Sequence, residues 1–322
     1  MSKTKNRKGH IKEVPSVIVL LPVYNGCRFL EEQINSILNQ VSVGVKILAF
    51  DDASSDESLN VLNKISKNDK RLKVYNRYEN LGLNKTISAL LKLAESESGD
   101  YFAMSDQDDL WDSDKLNESV IKLENDSAKI VYSNVRLINK EGVVIKENYF
   151  LDFRINPVEG SDPLPFVFRN PSIGHTMVLR REMIPIIKKI PDFLPVHEIW
   201  FLGVSAKLGK ITFIDRPLGS YRQHSDNIIG AKFKPFDRIV NFHSLKSHIK
   251  IRQRNRYAAL KALSLIDSKY NKMANLMGLD LKHRFLGLKH FTFELLPIAK
   301  TIGLMPCFVE LVLYLLYGAR YK

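Results

Sequence analysis

Between Val14 and about Tyr101, short apolar runs alternate with stretches whose apolar residues recur at helical spacing, and this alternation constrains the fold more than any other feature of the chain. "SVIVLLPVYNG" is predicted as a buried strand ending in a Pro and Asn-Gly loop, and "RFLEEQINSILNQ" follows with Phe29, Leu30, Ile34, Ile37 and Leu38 at helical spacing. "VKILAFDDASSD" and "LKVYNR" read as two further strands separated by the helix "ESLNVLNKIS". "LNKTISALLKLAE" supplies a third helix and "DYFAMSD" a fourth strand. The expectation is an α/β architecture of parallel strands joined by crossover helices.

In this arrangement the polar clusters fall at strand C-termini: Tyr24 and Asn25, then Asp51 and Asp52, then Asp106 to Asp109. Open α/β sheets bind ligands in the crevice outside those ends, so the clusters can converge on one site. An Asp-x-Asp pair at a strand end can present oxygens to Mg²⁺ or Mn²⁺, ions commonly held by one or two carboxylates plus substrate phosphates. Carboxylates this close are unfavourable without a cation, which favours that reading for Asp106 and Asp108. Asp109 is expected to be a supporting or turn residue. Asp112, Ser113 and Asp114 are expected to cap the next helix. Asn25 and Asp52 stay open between ligand contact and turn-forming roles, and Asp56 reads as a turn or cap residue.

Beyond Trp111 the pattern changes. A helix is expected from about Asp114 to Glu124, then two strands around a Lys-Glu-Gly turn in "KIVYSNVRLINKEGVVI". The Pro-rich "INPVEGSDPLPFVFRNPSIG" is expected to be a surface loop that shapes a substrate pocket. "HTMVLRREMIPII" reads as strand and helix, "VHEIWFLGVSAKLGK" as helix, and "ITFIDRPLGSYRQHSDN" as one or two strands with a polar end. After Lys232 the pattern is almost entirely helical.

With 48 Lys and Arg against 35 Asp and Glu, the chain carries a net charge of +13, which suits an anionic partner such as nucleic acid, lipid or a phosphorylated substrate. Cys27 and Cys307 are far apart and show no metal-ligand spacing, so a reducing cytoplasm is expected. The polar, basic start lacks the apolar run of a signal peptide, and no run approaches the ~20 apolar residues of a membrane span.

"LPVYNG", "FDDASSDES", "ENLGLNK" and "FAMSDQDDLW", in this order and spacing, resemble the nucleotide-sugar-binding half of inverting family 2 glycosyltransferases, particularly their bacterial rhamnosyltransferase-like branch. The resemblance covers about Ser16 to Asn227. It implies a GT-A fold, in which a Rossmann-like nucleotide-binding sheet is fused to an acceptor-binding part. Residues 15–232 would form this unit, after a disordered basic tail over 1–14 and before a helical C-terminal region over 233–322. Pro22, Tyr24 and Asp51 match positions that contact the base and ribose of the donor, and Lys85 matches a basic residue near the nucleotide. Asn25 and Asp52 are placed in the same nucleotide site. Asp106 matches the first acidic residue of the metal motif, facing ribose and metal, and Asp108 the direct ligand of Mn²⁺ or Mg²⁺. His224, after the last sheet segment, matches a position that completes the metal or diphosphate site, where Arg222 would offset diphosphate charge.

In the acceptor half, Glu198 of "PVHEIWFLG" stands at the position of the catalytic base, where Asp is commoner, with Glu182 as a rival better read as an ion-pair partner. Gly174 and His175 match a loop near acceptor and donor sugar. Trp111 and Trp200 read as sugar-stacking walls or as core.

The implied activity is metal-dependent transfer of a sugar, from dTDP-rhamnose or a UDP-sugar, to a hydroxyl of a polysaccharide or lipid-linked glycan. Residues Ile239, Val240, Phe242, Leu245 and Ile249, flanked by Arg238, Lys246 and Lys250, form an apolar stripe with positive charge beside it. This helical end would serve either peripheral contact with the inner face of the plasma membrane or homo-oligomer formation. Two rivals are weaker. A sugar nucleotidyltransferase would carry a Gly-rich phosphate loop where this chain has "PVYNGCRF", and a basic nucleic-acid-binding protein would show a recognisable module. Nucleic acid is therefore not expected as a partner.

Overall fold

The structure is a computed structural model that describes residues 14–224 and 242–278, the pairs Thr4–Lys5 and Ile11–Lys12, and single positions 292, 296, 299, 308 and 311. Most of the tail expected over 1–14, much of the end expected over 233–322 and the side chains of the Ile239 to Ile249 stripe lie outside the described residues. The strands β1 (Thr4–Lys5) and β2 (Ile11–Lys12) pair antiparallel.

The main sheet begins with β3 (Ser16–Val23), which is joined through α1 (Cys27–Leu38) to β4 (Gly44–Asp51), then α2 (Ser58–Asn68), β5 (Leu72–Asn76), α3 (Leu83–Glu95) and β6 (Tyr101–Met104). These four strands lie parallel in the order β5-β4-β3-β6, as the apolar alternation predicts. Strand β3 reads apolar at every position after Ser16 because it is buried on both faces. Ile18 and Leu20 join a core that includes Ile87, Leu90 and Leu91 of α3, whereas Val17, Val19 and Leu21 join another with Leu30, Ile34 and Ile37 of α1.

The second half departs from the parallel pattern. After β7 (Leu110–Trp111) and α4 (Lys115–Asn125) come β8 (Ile130–Ile138) and β9 (Val144–Lys146), a hairpin around the expected turn. Strand β10 (Met177–Arg180) inserts antiparallel between β6 and β8, while β11 (Ile211–Arg222) runs parallel to β8 and antiparallel to β7. The full order is β5-β4-β3-β6-β10-β8-β11-β7, with β9 beside β8. "ITFIDRPLGSYR" is thus one strand. Its register shifts on both sides of Pro217, which has no N–H to give a ladder.

The Pro-rich stretch is not simply a surface loop. After α5 (Tyr149–Asp152) it forms α6 (Pro163–Phe168), whose six residues are all buried. Asp162 accepts from Leu164 N and Pro163 takes the first turn, a favourable helix start. Following the short α7 (Ile184–Ile187), α8 (His197–Leu208) is buried almost throughout. Helices α9 (Phe242–Ser264) and α10 (Lys269–Gly278) form the helical appendage and close a third core over α6, with Ala259, Leu260, Leu263 and Met273 against Leu164, Val167 and Phe168. Among the described residues, no helix is long and apolar enough to cross a membrane.

Candidate active site

The loop from Ser105 to Asp109 connects β6 to the two-residue β7, and its side chains decide its shape. Gln107 accepts from Tyr24 N at 2.9 Å and donates to Tyr24 O at 3.0 Å, fastening this loop to the one after β3. Gly26 leaves room for that bond, since a methyl there would stand 2.3 Å from Gln107 Oε1. Arg222, at the end of β11 and 2% exposed, fixes the other side. Its backbone N–H donates to Asp109 Oδ1 (2.9 Å), Nε to Asp108 O (2.8 Å), Nη1 to Lys140 O (3.3 Å) and Nη2 to Glu32 Oε2 (2.7 Å). The guanidinium, 4.6 Å from the Phe29 ring centre, is therefore a clamp on the acidic loop rather than the diphosphate partner expected from sequence.

Two groups of ligating side chains result. Asp106, Asp109 and His175 bring three ligand atoms within 4.8 Å of one another. His175 is fully buried, with Nδ1 hydrogen-bonded to Asp106 Oδ2 at 3.3 Å. Asp109 Oδ2 lies 2.7 Å from the same nitrogen without hydrogen-bond geometry and is otherwise unpartnered. Beside this group, His224 Nε2 meets Asp108 Oδ2 at 2.8 Å.

Burial, then the charges of Asp109 and Asp106, push the Asp108 carboxyl up to about 6 against the pull of His224. Burial also opposes ionisation of Asp106, yet the hydrogen bond and charge of His175, with smaller help from His197 and Lys115, hold it below the usual range. His175 itself would be lowered by burial, but Asp109 and Asp106 raise it to about 9. The half-buried Asp106 and Asp108 beside the buried Asp109, with the orphaned Asp109 oxygen and the His224 imidazole, make a donor set that fits a divalent cation, and His175 offsets part of their charge.

At the nucleotide end the structure separates open groups from committed ones. Asp51, 1% exposed at the end of β4, accepts from Ser54 N through Oδ1 and leaves Oδ2 buried and without a partner. Tyr24 is 49% exposed, Lys85 is exposed on the first turn of α3, and Pro22 is buried in β3. Asp52, by contrast, accepts from Leu81 N (3.1 Å) and Gly82 N (2.8 Å) and pairs with Arg77 Nε (3.1 Å), so it builds the β5–α3 loop. Asn25, at φ 50°, accepts from Ser55 N and is a turn residue. Both of these positions follow the turn-forming alternative. Asp56 accepts from Cys27 N and Ser58 N.

On the other side stands Glu198, in the first turn of α8. A methyl on Gly174 would stand 3.1 Å from its Oε1 and 3.2 Å from His197 Nε2, so α8 reaches the loop that carries His175. Glu198 Oε2 is buried without a hydrogen bond. Trp200 turns away: it is 4% exposed in the main core and donates to Ile187 O, which removes it from the acceptor contacts expected. Trp111 is buried as well, under Lys115 Nζ at 4.2 Å. Glu182 pairs with Lys129. Asp112 pairs with Arg136 at 2.6 Å instead of capping α4, and Asp114, at the cap position, accepts from Arg216 Nη2 rather than from a helix N–H.

Sequence reasoning missed Lys115, Gln107 and His197, and undervalued Asp109. Lys115 is fully buried, donates to His175 O at 2.7 Å, and is brought down to about 7 by burial against the attraction of Asp109 and Asp112. A lysine in a helical first turn carries no sequence signal for this. Asp109 did carry one, being a third carboxylate in an already crowded run.

Comparison with known proteins bears on the family and the fold. The family model described as glycosyl transferase family 2 matches residues 18–184. A glycosyltransferase of Haemophilus influenzae is 30% identical over 222 residues, covering 67% of this chain and 68% of that protein. The dTDP-rhamnosyl transferase RfbG of Shigella flexneri is 29% identical over 224 residues, covering 66% and 74%. Among solved structures, S. aureus TarS 1–349 in complex with UDP-GlcNAc superposes with a TM-score of 0.53 at 15% identity, covering 77% of this chain and 70% of that one.

Proposed function

This chain belongs to glycosyl transferase family 2, and from that premise we propose that it transfers a sugar, with inversion and with the help of a divalent cation, from a nucleoside-diphosphate donor to a glycan hydroxyl. The observation that carries the reading is the meeting of Asp106, Asp108, Asp109, His175 and His224 around one loop outside the carboxyl ends of the strands. Asp108, Asp106 and His224 would hold Mn²⁺ or Mg²⁺. Such an ion, when bound, neutralises a departing diphosphate.

Asp51, with its orphaned oxygen, and the exposed Tyr24 would receive the ribose and base. Glu198 accepts the proton of the acceptor hydroxyl as its oxygen forms a bond to the anomeric carbon and the bond from that carbon to the diphosphate breaks. His175, held between Asp106 and Asp109, balances their charge and keeps the loop in place. The donors named for the relatives, a dTDP-rhamnosyl transferase and a structure with UDP-GlcNAc, select the first two sugars to try.

The test is a panel of dTDP- and UDP-sugars assayed for Mn²⁺-dependent release of nucleoside diphosphate. Turnover of at least one is expected, with Asp108→Ala lowering it at least about 100-fold. Unchanged metal-dependent turnover in Asp108→Ala would remove Asp108 from the site. Salt-sensitive DNA binding with no response to any sugar nucleotide would favour the nucleic-acid alternative.

A further inference from the structure

Several buried polar atoms around Gly174 have no hydrogen-bond partner, and among them His197 has no part in the reaction as described above. His197 opens α8, is 2% exposed, and neither of its ring nitrogens has a hydrogen-bond partner. Glu198 Oε2, 3.5 Å from His197 Nδ1, is likewise buried and unpartnered. His175, next to Gly174 in the chain, adds a fourth such atom, Nε2. Buried polar groups are almost always satisfied in folded proteins, and four orphans on three residues around Gly174 mark a place where a polar ligand completes the bonding.

These groups pack closely against Gly174. Gly174 has no positive φ to explain its glycine, yet a methyl there would crowd both Glu198 Oε1 and His197 Nε2, at 3.1 and 3.2 Å. The His197 ring is held edge-on against Phe201, centroids 5.2 Å apart, so its orientation is set before any ligand arrives. Through Gly174 the ring also stands against the segment whose next residue, His175, is hydrogen-bonded to Asp106 at 3.3 Å, so it lies between Glu198 and the donor-side carboxylates.

We propose that His197 is a specificity residue for the transferred sugar: its imidazole hydrogen-bonds one hydroxyl of the hexose lying between Asp106 and Glu198. This rests on the sugar-transfer reading above. A ring nitrogen can donate to or accept from a hydroxyl according to tautomer, and a hydrocarbon at position 197 can do neither.

The test is calorimetric titration of the full chain with Mn²⁺ and four probes: dTDP, dTDP-rhamnose, UDP and UDP-GlcNAc. For wild type, one sugar nucleotide should bind tighter than its own nucleoside diphosphate. If none does, the donor reading and this inference fall together. Given that increment, His197→Leu should weaken the sugar nucleotide about tenfold and leave the nucleoside diphosphate within about twofold, and His197→Gln should recover most of the loss. Gly174→Ala, which leaves the imidazole in place, should weaken the same probe selectively and serves if His197→Leu does not fold. An unchanged sugar increment in both variants, or an equal loss for nucleotide and sugar nucleotide, would overturn the role of His197 while leaving the glycosyltransferase reading intact. A loss confined to the acceptor KM would overturn it too, by placing the hydroxyl on the acceptor.

Discussion

Asp108 shows how a single side chain carries both the strain and the chemistry of the site. Its carboxyl is held near about 6, against an ordinary value of 3.8, so the folded chain keeps a proton that the unfolded chain has released between those values. Stability therefore falls as pH rises from about 4 through 6, and the whole penalty is present at pH 7. In metal-free protein, Asp108→Asn is expected to be more stable than wild type by about 1–3 kcal/mol at pH 7 and no more stable at pH 4. Mn²⁺ should raise the urea midpoint of wild type and leave that of the variant unmoved. A variant less stable than wild type at pH 7 would mean that the carboxylate is not crowded. The neighbouring residues explain why sequence reading reached only part of this. "SDQDD" displays its acids openly, but which acid meets which histidine depends on Arg222 and Gln107, which come from β11 and from within the loop, and neither advertises its partner.

Elements place the site through a few long-range bonds at strand ends. The carboxyl ends of β3, β4 and β6 were legible because apolar runs end there in polar clusters. The loop joining β5 to α3 was legible only as a motif. Asp52 builds that loop by accepting from Leu81 and Gly82 and pairing with Arg77, and Gly82 sits at φ 85°, where a side chain would be strained. Asp52→Ala should thus cost about 2–4 kcal/mol in urea unfolding and weaken nucleotide binding, because it strands the Leu81 N–H, leaves Gly82 N–H with Asn80 Oδ1 alone and unpairs a cation that is 16% exposed. Asp52→Asn should retain part of both. Full stability in Asp52→Ala would show that the loop holds itself.

At the scale of the whole molecule, α9 and α10 share buried apolar clusters with α6 and α8. Leu263 of α9 is 1% exposed and packs onto α8, where a methyl on Gly203 would stand 2.6 Å from its Cδ2. Leu263→Ala should cost about 2–4 kcal/mol, and Gly203→Val a comparable amount, each in a single transition seen alike by circular dichroism and by tryptophan fluorescence. Two separate transitions would instead make the C-terminal helices an independent unit. Because α8 carries His197 and Glu198 at its other end, its packing against α9 also bears on where those groups stand. By itself the sequence determined the strand–helix alternation, the edge of the sheet where ligands meet and the acidic loop, because these follow from local periodicity and from polar residues ending apolar runs. Only the tertiary structure decided that Arg222 clamps the loop, that Trp200 belongs to the core, that Lys115 and His175 are buried beside Asp109, and that His197 is left unpartnered. Those outcomes depend on which distant side chains share a space and lose their water together, a property of the packed chain and not of any segment within it.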